Sequence, residues 1–158
     1  MPEKLHPNAQ RVADALLEHG VTAQVVVLED AAPTAATAAA QVGCEVGAIA
    51  NSLIFDADGA PLLVLTSGAH RVDTAAVARL VGAGKVRRAT PEFVREHTGY
   101  PIGGVAPVGH PAPIRTLVDK WLAAHEQVWA AAGHPHMVFP TTYAELLRFT
   151  GGTAADVG

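Results

Sequence analysis

Ala48-Ile49-Ala50-Asn51-Ser52-Leu53-Ile54-Phe55 and Pro61-Leu62-Leu63-Val64-Leu65-Thr66 are two apolar runs separated by Asp56-Ala57-Asp58-Gly59. An Asp-Gly step between such runs signals a hairpin, because both residues tolerate the positive φ that a tight turn requires. The Asp-x-Asp-Gly pattern also matches the start of a calcium loop. The twelfth position counted from Asp56 is Ser67, however, where such a loop needs a carboxylate, so the turn reading is preferred.

Working outward, Pro7 stands near a helix start, with Val12, Ala13, Leu16 and Leu17 on one face and Gly20 as terminator. Gln24 to Leu28 is a short β-branched run expected to form a strand, and Thr34 is placed to cap an alanine-rich helix ended by Gly43. Beyond the hairpin, Asp73 can cap a helix carrying Val77, Leu80 and Val81, and Lys85 to Ala89 reads as a strand. Thr90-Pro91 opens a helix that stops near Gly99. In residues 113–132 the apolar positions fit either one helix face or a strand and turn, and periodicity does not separate the two. Thr142-Tyr143-Ala144-Glu145 is a capping box for a helix with Leu146, Leu147 and Phe149 inside, closed by Gly151-Gly152. Strands and helices that alternate irregularly, with at least one hairpin, imply a mixed α/β fold: a mixed sheet with helices around it. No repeat or linker divides the chain, so residues 1–158 are expected to form one domain.

Composition narrows the function. The chain has 158 residues, 49% hydrophobic and 16% charged, which is enough apolar material for one core. No run of about 18 apolar residues is present, and Glu3, Lys4 and His6 occupy the place of a signal peptide's apolar stretch, so a cytoplasmic protein without membrane contact is expected. The single cysteine, Cys44, excludes an internal disulfide and a cysteine-based zinc site, and it reads as a small buried hydrophobe. A formal net charge of −4 argues against coating DNA or RNA through a broad basic surface, although contact with one RNA end is compatible with it. Lys85-Val86-Arg87-Arg88 is the densest basic cluster and reads as a solvated edge.

The segment with chemical content is Ile102-Gly103-Gly104-Val105-Ala106-Pro107-Val108-Gly109. Its glycines permit positive φ and close approach of a ligand, while Pro107 fixes its own φ and biases Ala106 toward an extended conformation. Such a loop can aim amide N–H groups at one point and so hold a carbonyl or an oxyanion; its competing reading is a tight turn packed under a sheet edge. Imidazole is a side chain suited to proton transfer at neutral pH, which makes His70 and His110 candidates, and His110, directly after Gly109, is the better one. His134-Pro135-His136 lacks an identifiable third ligand, so neither a metal nor any other cofactor is expected. The chain has no Gly-x-Ser-x-Gly elbow and no convincing nucleophile for a covalent route.

Gly104-x-x-Pro107-x-Gly109 resembles the GxxPxG motif of the YbaK and prolyl-tRNA editing (INS-type) deacylase family. Asn51-Ser52-Leu53-Ile54-Phe55 with its hairpin, Gly68-x-x-Arg71-x-Asp73, and Thr98-Gly99-Tyr100-x-x-Gly103-Gly104 agree in order and spacing, from about residue 8 to residue 152. The resemblance implies a curved, barrel-like mixed sheet surrounded by helices. It also implies a strand near Pro113 to Val118, a turn at Asp119 to Leu122 and a hairpin around Gly133. The activity it implies is hydrolysis of the ester of mischarged aminoacyl-tRNA, acting in trans on small residues such as those carried by tRNA-Pro. On this reading Asn51, Gly104 and Gly109 are the catalytic positions. Ser52, Gly68, Arg71, Gly103, Val105, Ala106, Pro107 and His110 would contact substrate, with Asn51 facing the loop from a strand. The partner it implies is the aminoacyl-tRNA 3′ end, and a synthetase or translation factor is a candidate to assist a chain of negative charge.

One position departs from the family pattern. Members usually carry lysine where this chain has Asn51, and that lysine is associated with the terminal adenosine phosphate. Asparagine offers a donor and an acceptor but no charge. Three consequences are open: altered substrate preference, phosphate binding by another basic residue such as Arg71, or a non-catalytic module that binds aminoacyl-tRNA or an aminoacyl nucleotide. A small-molecule ester hydrolase using the same pocket is a further alternative.

Overall fold

A computed structural model describes residues 6–22, 24–28 and 35–158. The order is α1 (Pro7–Glu18), β1 (Val26–Val27), α2 (Ala35–Val42), β2 (Ile49–Ala57), β3 (Ala60–Ser67), α3 (Thr74–Val81), β4 (Val86–Arg88), α4 (Pro91–Thr98), β5 (Arg115–Asp119), β6 (Val128–His134), β7 (Met137–Thr141), α5 (Tyr143–Thr150) and β8 (Thr153–Ala155). Short 3₁₀ turns occupy Val46–Ala48 and Lys120–Ala124. The strands make one mixed eight-stranded sheet in the order β1-β7-β6-β2-β3-β5-β8, with β4 pairing separately to β2. The path ends at β1 and β8, so this sheet is open and not a closed barrel.

The hairpin forms as its turn chemistry dictates. Asp58 and Gly59 take φ of 52° and 92°, the pair of positive values that a type I′ turn needs. The Asp56 carboxylate accepts from Gly59 N–H at 2.6 Å, and Asp58 accepts from Gly84 and Lys85 N–H at 2.7 and 2.9 Å. The Asp58 carboxylate is therefore spent on main chain, and Asp56 divides its oxygens between Gly59 N–H and the Arg87 guanidinium. β2 and β3 pair from Ala50↔Ser67 to Ala57↔Ala60, and alternation divides their side chains between two cores. Ala50, Ile54, Leu63 and Leu65 join Tyr100, Val105, Ala106 and Phe139 on one face. Phe55, Leu62 and Val64 join Val77, Val86 and Leu117 on the other.

The helix caps follow the sequence. Asp73 Oδ1 accepts from Ala75 and Ala76 N–H, and Thr90 Oγ1 from Phe93 N–H. Thr142 Oγ1 accepts from Glu145 N–H, but Glu145 Oε1 accepts from Thr141 Oγ1, so only one arm of the expected capping box is made. Thr34 lies outside the described residues. The expected strand at Gln24 to Leu28 contracts to Val26–Val27, and residues 113–132 contain β5, a 3₁₀ turn and the start of β6 instead of a long helix. β8 was not expected after Gly151-Gly152. It forms through parallel pairing with β5, a non-local contact.

Two polar anchors hold the loops. Asp119 is fully buried and accepts from Ser67 N–H (2.8 Å) and Trp121 N–H (3.0 Å), and it also contacts His70, whose ring stacks on Trp121. The second anchor sets the glycine loop. Tyr100, fully buried, donates from its hydroxyl to Val108 C=O at 2.8 Å, and the Arg11 guanidinium lies 4.5 Å from its ring centre while donating to Gly99 C=O. His110 Nε2 donates to Ala106 C=O at 2.8 Å, because a carbonyl only accepts. Burial holds the His110 pKa below the ordinary imidazole value, and the Arg11 charge pushes the same way, against the bond to Ala106.

Asp119→Ala leaves the buried Ser67 amide and the part-buried Trp121 amide without this acceptor, and urea denaturation should show a loss of about 3 kcal/mol. At Gly109, φ is 81° and an added Cβ would lie 2.3 Å from the Tyr100 hydroxyl, whereas at Gly103, φ is 85° with open space around it. Gly103→Ala should cost about 1 kcal/mol from backbone strain alone and Gly109→Ala clearly more; equal losses would contradict the packing described. A depressed His110 pKa means that the unfolded chain takes up the proton first as pH falls. Its contribution to stability is complete above about pH 6.5 and declines as pH drops toward the folded-state value. His110→Gln should flatten the stability profile between about pH 7 and pH 5.

Candidate functional site

The outer edge of β2 is paired twice and interrupted once. β6 pairs with it in parallel at Ile49 and Ala50, and β4 pairs antiparallel at Phe55, Asp56 and Ala57. Between them, Asn51, Ser52 and Leu53 have β3 on one side and, among the described residues, no strand on the other. The gap opens into a cleft of about 380 Å³ lined by this stretch together with α2, β6, the β6–β7 turn, the end of β4 and the glycine loop.

The phase of hydrogen bonding shows which residue faces the opening. Ala89 N–H donates to Ile54 C=O and Asp58 N–H to Lys85 C=O, so even-numbered residues of β2 direct their main-chain groups outward. Within the gap that residue is Ser52. Its Oγ is buried and, among the described residues, has no hydrogen-bond partner. Buried polar atoms without partners are uncommon and costly, which makes this hydroxyl a marker of a place meant to receive a ligand or water.

Alternation also sorts the side chains. Ser52 shares its face with Ala50 and Ile54, which pack with Val105 and Ala106 of the loop. Asn51 falls on the face of Ile49, whose neighbours are Ala38, Ala39 and Trp129. Both residues line the cleft, but the one on the loop's side is Ser52, whereas the sequence reading put Asn51 there.

On the opposite wall Ile102, Gly103 and Val105 of the expected loop line the cleft. Gly104 sits behind them. A Cβ there would come within 3.0 Å of His134 N and Cα, so glycine lets the loop lie against the end of β6, and its amide already donates to Pro101 C=O. Ala106, Pro107 and Val108 are buried, and Gly109 and His110 hold the loop from outside the lining. Gly68 packs against Val46 C=O and the Ala35 side chain, and Arg71 is exposed beside Gly158; neither lines the cleft.

The two lining residues with ionisable side chains, Arg88 and His134, were not singled out from sequence as site residues. Arg88 ends β4 at the cleft. The Lys85–Arg88 cluster was the visible signal, but strand alternation was needed to separate Arg87, which pairs with Asp56 at 3.5 Å, from Arg88. His134 ends β6, its ring 4.8 Å from that of His6 and 5.4 Å from that of His136. His134 Nδ1 accepts from His136 N–H, leaving Nε2–H as the donor of the neutral ring. Burial lowers its pKa, and the neighbouring His6 and His136 add to the effect. Among the described residues no three His, Cys, Asp or Glu side chains are grouped to hold a metal ion. Burial raises the Cys44 pKa, so its thiolate is disfavoured. No described helix is long and apolar enough to cross a membrane.

The arrangement matches known proteins. The model of the aminoacyl-tRNA editing domain matches residues 29–149. The chain is 30% identical over 127 residues to the uncharacterized protein YwhH of Bacillus subtilis, covering 80% of each. It is 33% identical over 81 residues, 51% of its length, to a proline–tRNA ligase of Nitratidesulfovibrio vulgaris, of which the match spans only 14%. Among solved structures, a candidate trans-editing enzyme for prolyl-tRNA synthetase superposes with a TM-score of 0.92 at 45% identity, covering 98% of both chains. The hypothetical protein APE2540 superposes with a TM-score of 0.84 at 32% identity, covering 93% of this chain and 98% of the other. The matched segment contains both walls of the cleft, and the chain belongs to the aminoacyl-tRNA editing domain family.

Proposed function

We propose that this chain is a trans-acting deacylase that hydrolyses the ester of mischarged aminoacyl-tRNA, with tRNA-Pro carrying a small amino acid as the leading substrate. The observation that carries this reading is the Ser52 hydroxyl, without a partner among the described residues, in an open strand edge opposite the glycine loop. The edge offers main-chain N–H and C=O groups beside a small apolar chamber, a setting suited to a compact aminoacyl group.

An aminoacyl ester is already activated and needs no acyl-enzyme. Water adds to the carbonyl carbon and the carbonyl electron pair moves onto oxygen. The intermediate then collapses with cleavage of the bond to the ribose oxygen, which leaves with a proton derived from the water. The products are a free amino acid and uncharged tRNA. In this scheme Ser52 and the amides of the gap and loop hold the carbonyl oxygen as it gains charge, with His134 Nε2–H as a further donor. The terminal ribose hydroxyl relays the proton. Gly104 and Gly109 shape the loop that bounds the acyl group, and Val105 limits its size. A single methylene of size difference gives only about 10–200-fold discrimination, so the enzyme is expected to accept several small residues.

A second reading, a module that binds without cleaving, is favoured by the uncharged Asn51 alone. Alanyl-, cysteinyl- and seryl-tRNA-Pro, with other small aminoacyl-tRNAs, should lose their ester at micromolar protein; no hydrolysis across the panel, with retained binding of a non-hydrolysable aminoacyl-adenosine, would favour the module. For the active protein, Ser52→Ala should lower kcat by about 100-fold with little change in melting temperature, as expected for loss of a donor used in the transition state. Asn51→Lys distinguishes two roles for Asn51: a faster reaction makes the absent charge limiting, and a slower one makes asparagine part of a specialised site.

A further inference from the structure

The segment from Gly99 to Gly109, which walls the cleft, is pinned at both ends by one pair of side chains. At its start Arg11 of α1 donates from Nη2 to Gly99 C=O at 3.0 Å, and at its end the Tyr100 hydroxyl donates to Val108 C=O at 2.8 Å. The two also meet each other, with the guanidinium 4.5 Å from the ring centre. Burial raises the Tyr100 pKa against the pull of the Arg11 charge, so the hydroxyl keeps its proton and stays a donor. Glycine makes room for the pair at each end. A Cβ at Gly99 would lie 2.8 Å from Arg11 Nη2, and one at Gly109 would lie 2.3 Å from the Tyr100 hydroxyl and 3.4 Å from Arg11 Cγ. The edge of the Tyr100 ring rests on Gly133 of β6, where a Cβ would come within 3.0 Å of Cε1, so the pair fixes the loop against a strand that lines the cleft.

Arg11 is a poor choice for a tie that serves stability alone. Among the described residues it has no ion pair, and its buried Nε has no hydrogen-bond partner. Removing charge from water is unfavourable unless close partners offset it, and here no carboxylate does. The guanidinium supplies geometry instead. The other hydrogen bonds described for the loop, His110 to Ala106 C=O and Gly104 N–H to Pro101 C=O, are internal to it, whereas the bond from Arg11 ties it to another element.

Resting on the deacylase reading, we infer that Arg11 is a positioning residue that sets the largest acyl group the cleft admits. Val105 packs in one core with Ala50 and Ile54, the neighbours of Ser52 on its face of β2. The width of the chamber at Ser52 is therefore the separation of β2 from the loop, and Arg11 holds that separation through Tyr100. Arg11 itself does not line the cleft, so its loss acts on selectivity by letting Val105 move and not by removing a contact to substrate.

The test uses two non-hydrolysable probes of different acyl size, 3′-alanylamino-adenosine and 3′-leucylamino-adenosine, measured by equilibrium binding alongside a thermal melt of each variant. The native chain should prefer the alanyl probe by about 100-fold, as a bounded apolar chamber allows. Arg11→Met should bring the preference below about tenfold, chiefly through tighter binding of the leucyl probe, with a melting temperature close to that of the native chain. Arg11→Lys keeps a cation and a donor and should restore part of the preference. Tyr100→Phe keeps the ring but loses the bond to Val108 C=O, and should relax the preference in the same direction; with Arg11→Lys it reads the same quantity should Arg11→Met fail to fold. Because Arg11 acts through Tyr100, the double variant should be no more permissive than the stronger single one. A general loss of stability weakens both probes alike and does not strengthen the larger one. No preference in the native chain, an unchanged preference in the variants, equal weakening of both probes, or additive effects in the double variant overturns the assignment. Neither probe is turned over, so absent deacylation with a preference that relaxes on loss of Arg11 counts against the catalytic reading and for this one; a native chain that binds neither probe defeats both.

Discussion

An interrupted strand edge is the constraint from which the functional architecture follows. A main-chain amide or carbonyl inside a protein needs a partner, and β2 satisfies that requirement through β6 at Ile49 and Ala50 and through β4 from Phe55 onward. Over the residues between them no strand among the described residues completes the ladder, and Ser52 adds a buried hydroxyl with no described partner. A sheet normally removes such a vacancy by pairing or by twisting the edge away. Here α2 and the glycine loop cover it from two sides, producing a pocket whose polar groups are those of the sheet itself.

The rest of the molecule keeps that gap open. The long β2–β3 pairing makes the inner edge rigid, and the Asp58 contacts to Gly84 and Lys85 fix where β4 joins the outer edge. On the far side, Tyr100, Arg11 and His110 restrain the loop so that Gly103 and Val105 face the cleft while Ala106 and Val108 fill the core. Much of what makes the glycine-proline segment distinctive in sequence is thus structural: Gly109 clears the Tyr100 hydroxyl, and Gly104 clears the backbone at His134.

The parts legible from sequence were those set by local chemistry. Asp58-Gly59 prescribed its turn, Asp73 and Thr90 their caps, and the apolar runs their strands. β8 was hidden because three residues after two glycines carry no period, and their strand exists only through pairing with β5. The cleft was hidden for the same reason. It joins residues from position 35 to position 138, so nothing local distinguished Arg88 from Arg87, or His134, which lines the cleft, from His110, which braces the loop. The family motif pointed to a loop that lines one wall of the cleft. Alternation along β2, which needs the register, then assigned the loop-facing position to Ser52 and placed Asn51 toward α2 and Trp129.

The central claim is that the open edge at Ser52 receives the aminoacyl group, and the Ser52 amide reports on it directly. Backbone hydrogen exchange followed by NMR, with and without 3′-alanylamino-adenosine, should show the Ser52 N–H slowed on binding, with Gly103 and Val105 shifted and amides of the β2–β3 ladder little changed. An unchanged Ser52 amide at saturating ligand, with the shifts elsewhere on the surface, would contradict the account.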